Sequence, residues 1–202
     1  MASIEYVVIE ATDPSAAEQF YKTAFGMDGV VRARASDAPT TGFRGFTLSL
    51  IVAQPSTVDG LVGAALDAGA TVLKPAEKSL WGYGGVVQAP DGTICTIASS
   101  SKKDTGQDTR RIDEVVIQLG VADMVASKQF HVDRGLTVAK SYGRRYTDFD
   151  SGPVKLALNR HRALAKAAGV SPDGTGSHRL VIGSDAEPAT DPDGFVWEST
   201  SV

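Results

Sequence analysis

A single cysteine, Cys95, stands among the 202 residues. Alone it can form neither an internal disulfide nor a thiolate metal site, and it fits a reducing cytoplasm. Histidine is nearly as scarce. His131, His161 and His178 are not spaced i, i+3 or i+4 from one another, which weighs against a histidine-rich catalytic metal centre. No apolar run reaches the roughly 18 residues that a membrane helix needs. There is no basic excess either: 20 Lys+Arg face 24 Asp+Glu, a net charge of −4. Nothing therefore favours binding to a phosphate backbone, and no nucleic-acid partner is expected. The opening Met1-Ala2-Ser3-Ile4-Glu5 lacks the basic start and apolar core of a secretory signal. No G-x-G-x-x-G follows a strand, and neither a P-loop nor a G-x-S-x-G elbow occurs. The apolar fraction is 42% and the charged fraction 22%, values of a folded, not a disordered, chain.

What is present is an internal repeat. Ile4-Glu5-Tyr6-Val7-Val8-Ile9-Glu10 returns as Ile112-Asp113-Glu114-Val115-Val116-Ile117-Gln118. A helical pattern follows each, opening at Asp13-Pro14 in one half and Ala122-Asp123 in the other. Each pattern closes at a glycine, Gly26 or Gly135. Near the far ends, Pro90-Asp91-Gly92 returns as Pro192-Asp193-Gly194. Four landmarks in one order point to duplication. The halves are read as residues 1–98 and 111–202. The polar, glycine-containing stretch 99–110 reads as a linker.

Strands are expected over 4–10, 29–35, 44–53, 71–74, 85–88 and 93–98, and again over 112–119, 137–142, 154–159, 178–182 and 195–200. Asp13 is a natural N-cap with Pro14 at the first helical position. Helices are expected from there, over 56–68 ending at Gly69, over 122–133, and over 160–168 ending at Gly169. Consecutive strands with Asp-Gly turns give an α+β fold with a mixed sheet, not a parallel α/β sheet.

The duplicated strand–helix–strand–strand–strand unit, with its opening apolar strand and closing Pro-Asp-Gly turn, resembles the vicinal oxygen chelate superfamily. That group includes glyoxalases, extradiol dioxygenases and bleomycin-resistance proteins. The resemblance spans nearly the whole chain and implies two tandem βαβββ modules forming cup-shaped sheets. Metal-dependent members carry ligands in the opening and closing strands. Carried over, those positions are Tyr6 and Thr96 in the first half and Glu114 and Glu198 in the second. Neutral tyrosine and threonine are weak donors. Two carboxylates without an imidazole make a thin site for zinc or iron(II). No metal or other cofactor is therefore expected, and any metal would fall to Glu114 and Glu198.

A cup without metal ligands keeps a cavity, which turns attention to aromatic side chains. Phe43, Phe46, Trp81, Tyr83, Tyr142, Tyr146 and Phe149 are candidates to line it, beside Tyr6. Trp81 and Tyr83 stand out because glycines flank them. Phe20, Phe25, Phe130 and Trp197 fall at core-like positions. Arg144-Arg145-Tyr146 reads as a solvated face or a ligand contact. Cys95 reads as a small buried hydrophobe, and His161 as solvated on a basic helix start. His178 opens a strand and is a candidate to face the cavity. Glu114 needs a cationic partner or a ligand. The expected function is sequestration of an aromatic small molecule such as an antibiotic, by a cytoplasmic protein that forms a homodimer. The alternative is a metal-dependent lyase, isomerase or dioxygenase.

Overall fold

A computed structural model describes residues 2–107 and 109–200. Met1, Asp108, Ser201 and Val202 lie outside the described residues, so the outer ends of the two halves and one linker position are not covered. The first half runs β1 (Ile4–Ala11), α1 (Pro14–Phe25), β2 (Val31–Ala35), β3 (Thr40–Gly42), β4 (Phe46–Ile51), α2 (Pro55–Asp67), β5 (Thr71–Ser79), β6 (Gly82–Gln88) and β7 (Ile94–Ser99). The second runs β8 (Glu114–Val121), α3 (Met124–Asp133), β9 (Thr137–Ser141), β10 (Tyr146–Asp150), β11 (Val154–Arg160), α4 (His161–Ala168), β12 (Gly174–Gly176), β13 (Leu180–Ser184), β14 (Ala189–Thr190) and β15 (Val196–Ser199).

The repeat shows in the caps. Asp13 accepts from the Ala16 amide and Asp123 from those of Val125 and Ala126, so α1 and α3 start alike. After α1 and α4 the chain turns at Gly26 and Gly169, both left-handed.

Strand pairing interlocks the halves. An eight-stranded sheet has the order β5-β6-β7-β4-β8-β11-β10-β9, joined where β4 and β8 run antiparallel. A five-stranded sheet, β14-β15-β13-β1-β2, joins the halves where β1 and β13 run antiparallel. A short ribbon, β12-β3, again pairs residues from opposite halves. The alternation of β4 sorts side chains onto two faces. Leu48 and Leu50 join Cys95, Ile97, Ile117, Leu119, Leu156 and Leu158 in a closed apolar layer packed with α1, α2 and β1. Thr47, Ser49 and Ile51 face the other way, beside Thr96, Glu114, Val116 and Gln118. Helix α4 lies against β4, β8 and β11. Its last carbonyls, those of Lys166 and Ala167, accept from Lys74 Nζ at 3.0 and 2.8 Å, a cation at the negative end of the helix.

The segment read as a linker is tied down. Gln54, 3% exposed at the N-terminus of α2, accepts from the amides of Thr105 and Gly106 at 2.9 and 3.0 Å. Its Nε2 donates to the carbonyls of Gly106 and Gln107. Asp104 accepts from the Ser56 amide at 2.8 Å.

Candidate functional site

The polar face of the eight-stranded sheet forms two adjoining hollows of about 510 Å³ each, which share Ser49, Ile51 and Gln118. One lies over β6 and β7, bounded by Trp81, Lys74 and Ala167 of α4. The other lies over β8, β10 and β11, lined by Glu114, Tyr146, Asp148 and Lys155. Together they make an open cup whose floor mixes apolar side chains such as Ile51, Val86 and Val116 with hydroxyl, amide and charged groups. Those groups largely pair with one another. Thr96 donates to Ser49 Oγ at 2.8 Å, and Asn159 Nδ2 donates to Gln118 Oε1 at 3.0 Å. Lys155 Nζ meets Glu114 Oε1 at 2.7 Å. Tyr146 donates to Asp148 Oδ2 at 3.3 Å, and burial next to Asp148 pushes its phenol up to about 12. Asp148 Oδ1 in this lining is buried without a partner among the described residues, and so is Thr47 Oγ1, which lies on the same face of β4 but lines neither hollow.

Of the residues expected in the cavity, Thr96, Glu114 and Tyr146 line this cup. Trp81 stands at its rim, 85% exposed on the β5–β6 hairpin, and Tyr142, 60% exposed, tops the β9–β10 hairpin. The cationic partner that Glu114 was expected to need is Lys155. The other candidates lie elsewhere or only border the cup. Phe46 points into the main core, because its strand parity puts it on the helix-covered face, and Phe149 is buried in the same core while it also borders the second hollow. Phe43 packs with Val86, Ile94 and Leu164 beneath α4. Tyr83 borders the first hollow, while its hydroxyl donates to Asp59 on α2 at 2.8 Å. His178 lies between the carbonyls of Arg44 and Asp193, at 2.6 and 3.1 Å, and stacks on Phe195; it holds loops together and does not line the cup. His161 is half-buried, not solvated: Nε2 sits 2.8 Å from the Pro172 carbonyl and the ring packs on Phe43. Cys95 is fully buried, and burial raises its thiol out of reach of ionisation.

Tyr6 and Glu198 meet on the outer face of the five-stranded sheet. Tyr6 donates to Glu198 Oε1 at 3.2 Å, and Arg34 bonds Glu198 Oε2 at 2.6 Å. The Arg32 guanidinium lies 3.5 Å from the Tyr6 ring centroid. Burial first, then the Glu198 charge, raises the Tyr6 phenol. The ring lies flat on Gly183, where a Cβ would approach it to 2.4 Å.

The four positions carried over from metal-dependent proteins thus split in two. Thr96 and Glu114 stand on one sheet, Tyr6 and Glu198 on the other. Each pair holds one carboxylate, already bonded to Lys155 or Arg34, and neither holds an imidazole. Among the described residues no three His, Cys, Asp or Glu side chains gather as a metal site would need. This donor set does not fit a divalent metal. Sequence reasoning missed Ser49, Gln118 and Lys155. The alternation of β4 and β8 exposes Ser49 and Gln118 on one face, but only the pairing of those strands across the halves brings them together.

Solved structures share this architecture. Glyoxalase I from Zea mays superposes with a TM-score of 0.62 at 14% identity, over 98% of this chain and 91% of that one. A putative dioxygenase from Bacillus subtilis gives 0.63 at 9% identity, over 98% and 84%. No family model and no curated protein matches the sequence. The chain has the fold of the vicinal oxygen chelate superfamily, as the repeat implied, with curled sheets and four helices among the described residues.

Proposed function

We propose that the protein binds and sequesters a small ring-containing molecule in the cup of the eight-stranded sheet, without transforming it. The observation that carries this reading is the self-paired floor. Glu114, Lys155, Gln118, Asn159, Ser49 and Thr96 satisfy one another, Asp148 accepts from Tyr146 and keeps one oxygen without a partner among the described residues, and no imidazole or thiol lines either hollow to serve as base or nucleophile. Such a floor offers hydrogen bonds that fix orientation, while aromatic side chains at the rim supply apolar contact. The wide opening between the two hairpins suits a planar ligand such as an aromatic antibiotic. The enzymes of like fold argue for the alternative, yet fold alone does not carry an activity.

The test is recovery of the ligand. Riboflavin, catechol and an anthracycline are each incubated with the full chain, then separated and identified by mass. At least one is expected to bind and to return unchanged, with no product formed over many equivalents. Gln118→Leu should weaken that probe on the order of tenfold, the cost of one lost hydrogen bond to a partly buried group. Multiple-turnover conversion of any probe contradicts sequestration.

A further inference from the structure

We propose a second binding site, for a small organic oxyanion (a carboxylate or a phosphate), between Arg44 and Arg179 at the start of α1. The hollow there measures about 270 Å³, bounded by the first turn of α1, the Pro90–Asp91 turn and the two arginines. It shares no lining residue with the two hollows of the cup.

Arg179 is only 9% exposed and is held at a φ of 55°, a left-handed conformation uncommon for a residue with a side chain. Its Nη1 donates to the Ser36 carbonyl. Its Nε is buried without a partner among the described residues. Arg44 lies across the Asp91-Gly92 turn, so close that a Cβ on Gly92 would stand 2.6 Å from Nη2. Nη2 donates to the Asp91 carbonyl at 2.7 Å, whereas Nη1 is buried and has no partner among the described residues.

Two guanidinium groups with unmet donors around one hollow call for an acceptor, since a buried charge is costly unless paired. The carboxylates at the hollow are engaged elsewhere. Asp13 accepts from the Ala16 amide at 3.0 Å. Asp91 accepts from the Thr93 amide and the Tyr21 hydroxyl, both at 2.8 Å. Burial is the main cause that lowers the Arg44 guanidinium; Asp91 opposes the shift and Arg179 adds to it. The guanidinium fork matches a planar carboxylate or a phosphate, and the positive end of α1 favours either. Ala17 and Phe20 give the hollow an apolar wall, which suits an anion with a small apolar body.

The experiment is calorimetric titration of the full chain with inorganic phosphate and, separately, with benzoate, at constant ionic strength. Saturable one-site binding of at least one probe is expected. Ala16→Glu sets a carboxylate in the exposed first turn of α1, where a helix tolerates it, and should weaken binding on the order of tenfold or more. Arg44→Gln should do the same. If Arg44→Gln fails to fold, the Ala16→Glu result decides alone. Absence of saturable binding for both probes overturns the proposal. So does an affinity that Ala16→Glu leaves unchanged, since the heat would then report general surface charge.

Discussion

Gln54→Leu should destabilise the protein by about 3 kcal/mol and open the segment that joins the two halves. The side chain is nearly the size of leucine, so the loss is one of hydrogen bonds and not of packing. Its amide oxygen serves Thr105 and Gly106, and its amide nitrogen serves Ser56, Gly106 and Gln107. Each bond contributes about 1 kcal/mol net, and the released loop regains water for part of that. Urea denaturation gives the stability change. Limited trypsin digestion gives the location, because Lys102, Lys103, Arg110 and Arg111 flank the clamped stretch. Rapid cleavage there in the variant, with the parent resistant, is the expected pattern. Equal cleavage of both would mean that the clamp does not hold the segment.

His131 should make the fold acid-labile. The ring is 1% exposed, packed among Phe130, Phe149 and Trp197, with Nε2 4.0 Å from Asp191 Oδ2. Burial, aided by the Arg134 charge, lowers its pKa from 6.5 to about 3. Between those values the unfolded chain binds a proton that the folded chain refuses. Stability is therefore full above pH 6.5 and falls as the pH drops, by up to about 1.4 kcal/mol per pH unit. Asp191 acts in the opposite sense. Burial is the main cause that raises its carboxyl, so the folded chain takes up that proton sooner than the unfolded one, and stability is regained towards the acid end. The His131 effect should thus be cleanest in the first two units below pH 6.5. Denaturation midpoints measured from pH 7.5 to 4.5 should slope steeply in the parent and more gently in His131→Leu. Parallel slopes would remove His131 as the source.

Much of the fold was legible because it is written in local chemistry. Asp13 and Asp123 announce helix starts, Gly26 and Gly135 helix ends, and the two Pro-Asp-Gly turns announce closing strands. The reading of the chain as two halves rests on their order. The pairing partners were not legible. That β1 pairs with β13 and β4 with β8 depends on contacts between residues far apart in the chain, which periodicity does not encode. The candidate site suffered from the same gap. Thr96, Glu114 and Tyr146 were found, but Phe46 was placed in the cavity when one step of strand parity puts it in the core. Tyr6 and Glu198 were recognised as equivalent positions, yet the interlock draws them onto a different sheet from Thr96 and Glu114.

The two tryptophans allow one direct measurement of the central claim. Trp81 stands at the rim of the cup, while Trp197 is 3% exposed in the core beside His131. In Trp197→Phe only Trp81 emits, and it reports on the cup alone. Titration with the anthracycline, riboflavin and catechol should quench or shift that emission saturably for at least one probe. Gln118→Leu in the same background should move the midpoint to higher concentration. A folded Trp197→Phe protein whose Trp81 emission responds to none of the three, or responds identically without Gln118, would contradict a binding cup on the eight-stranded sheet.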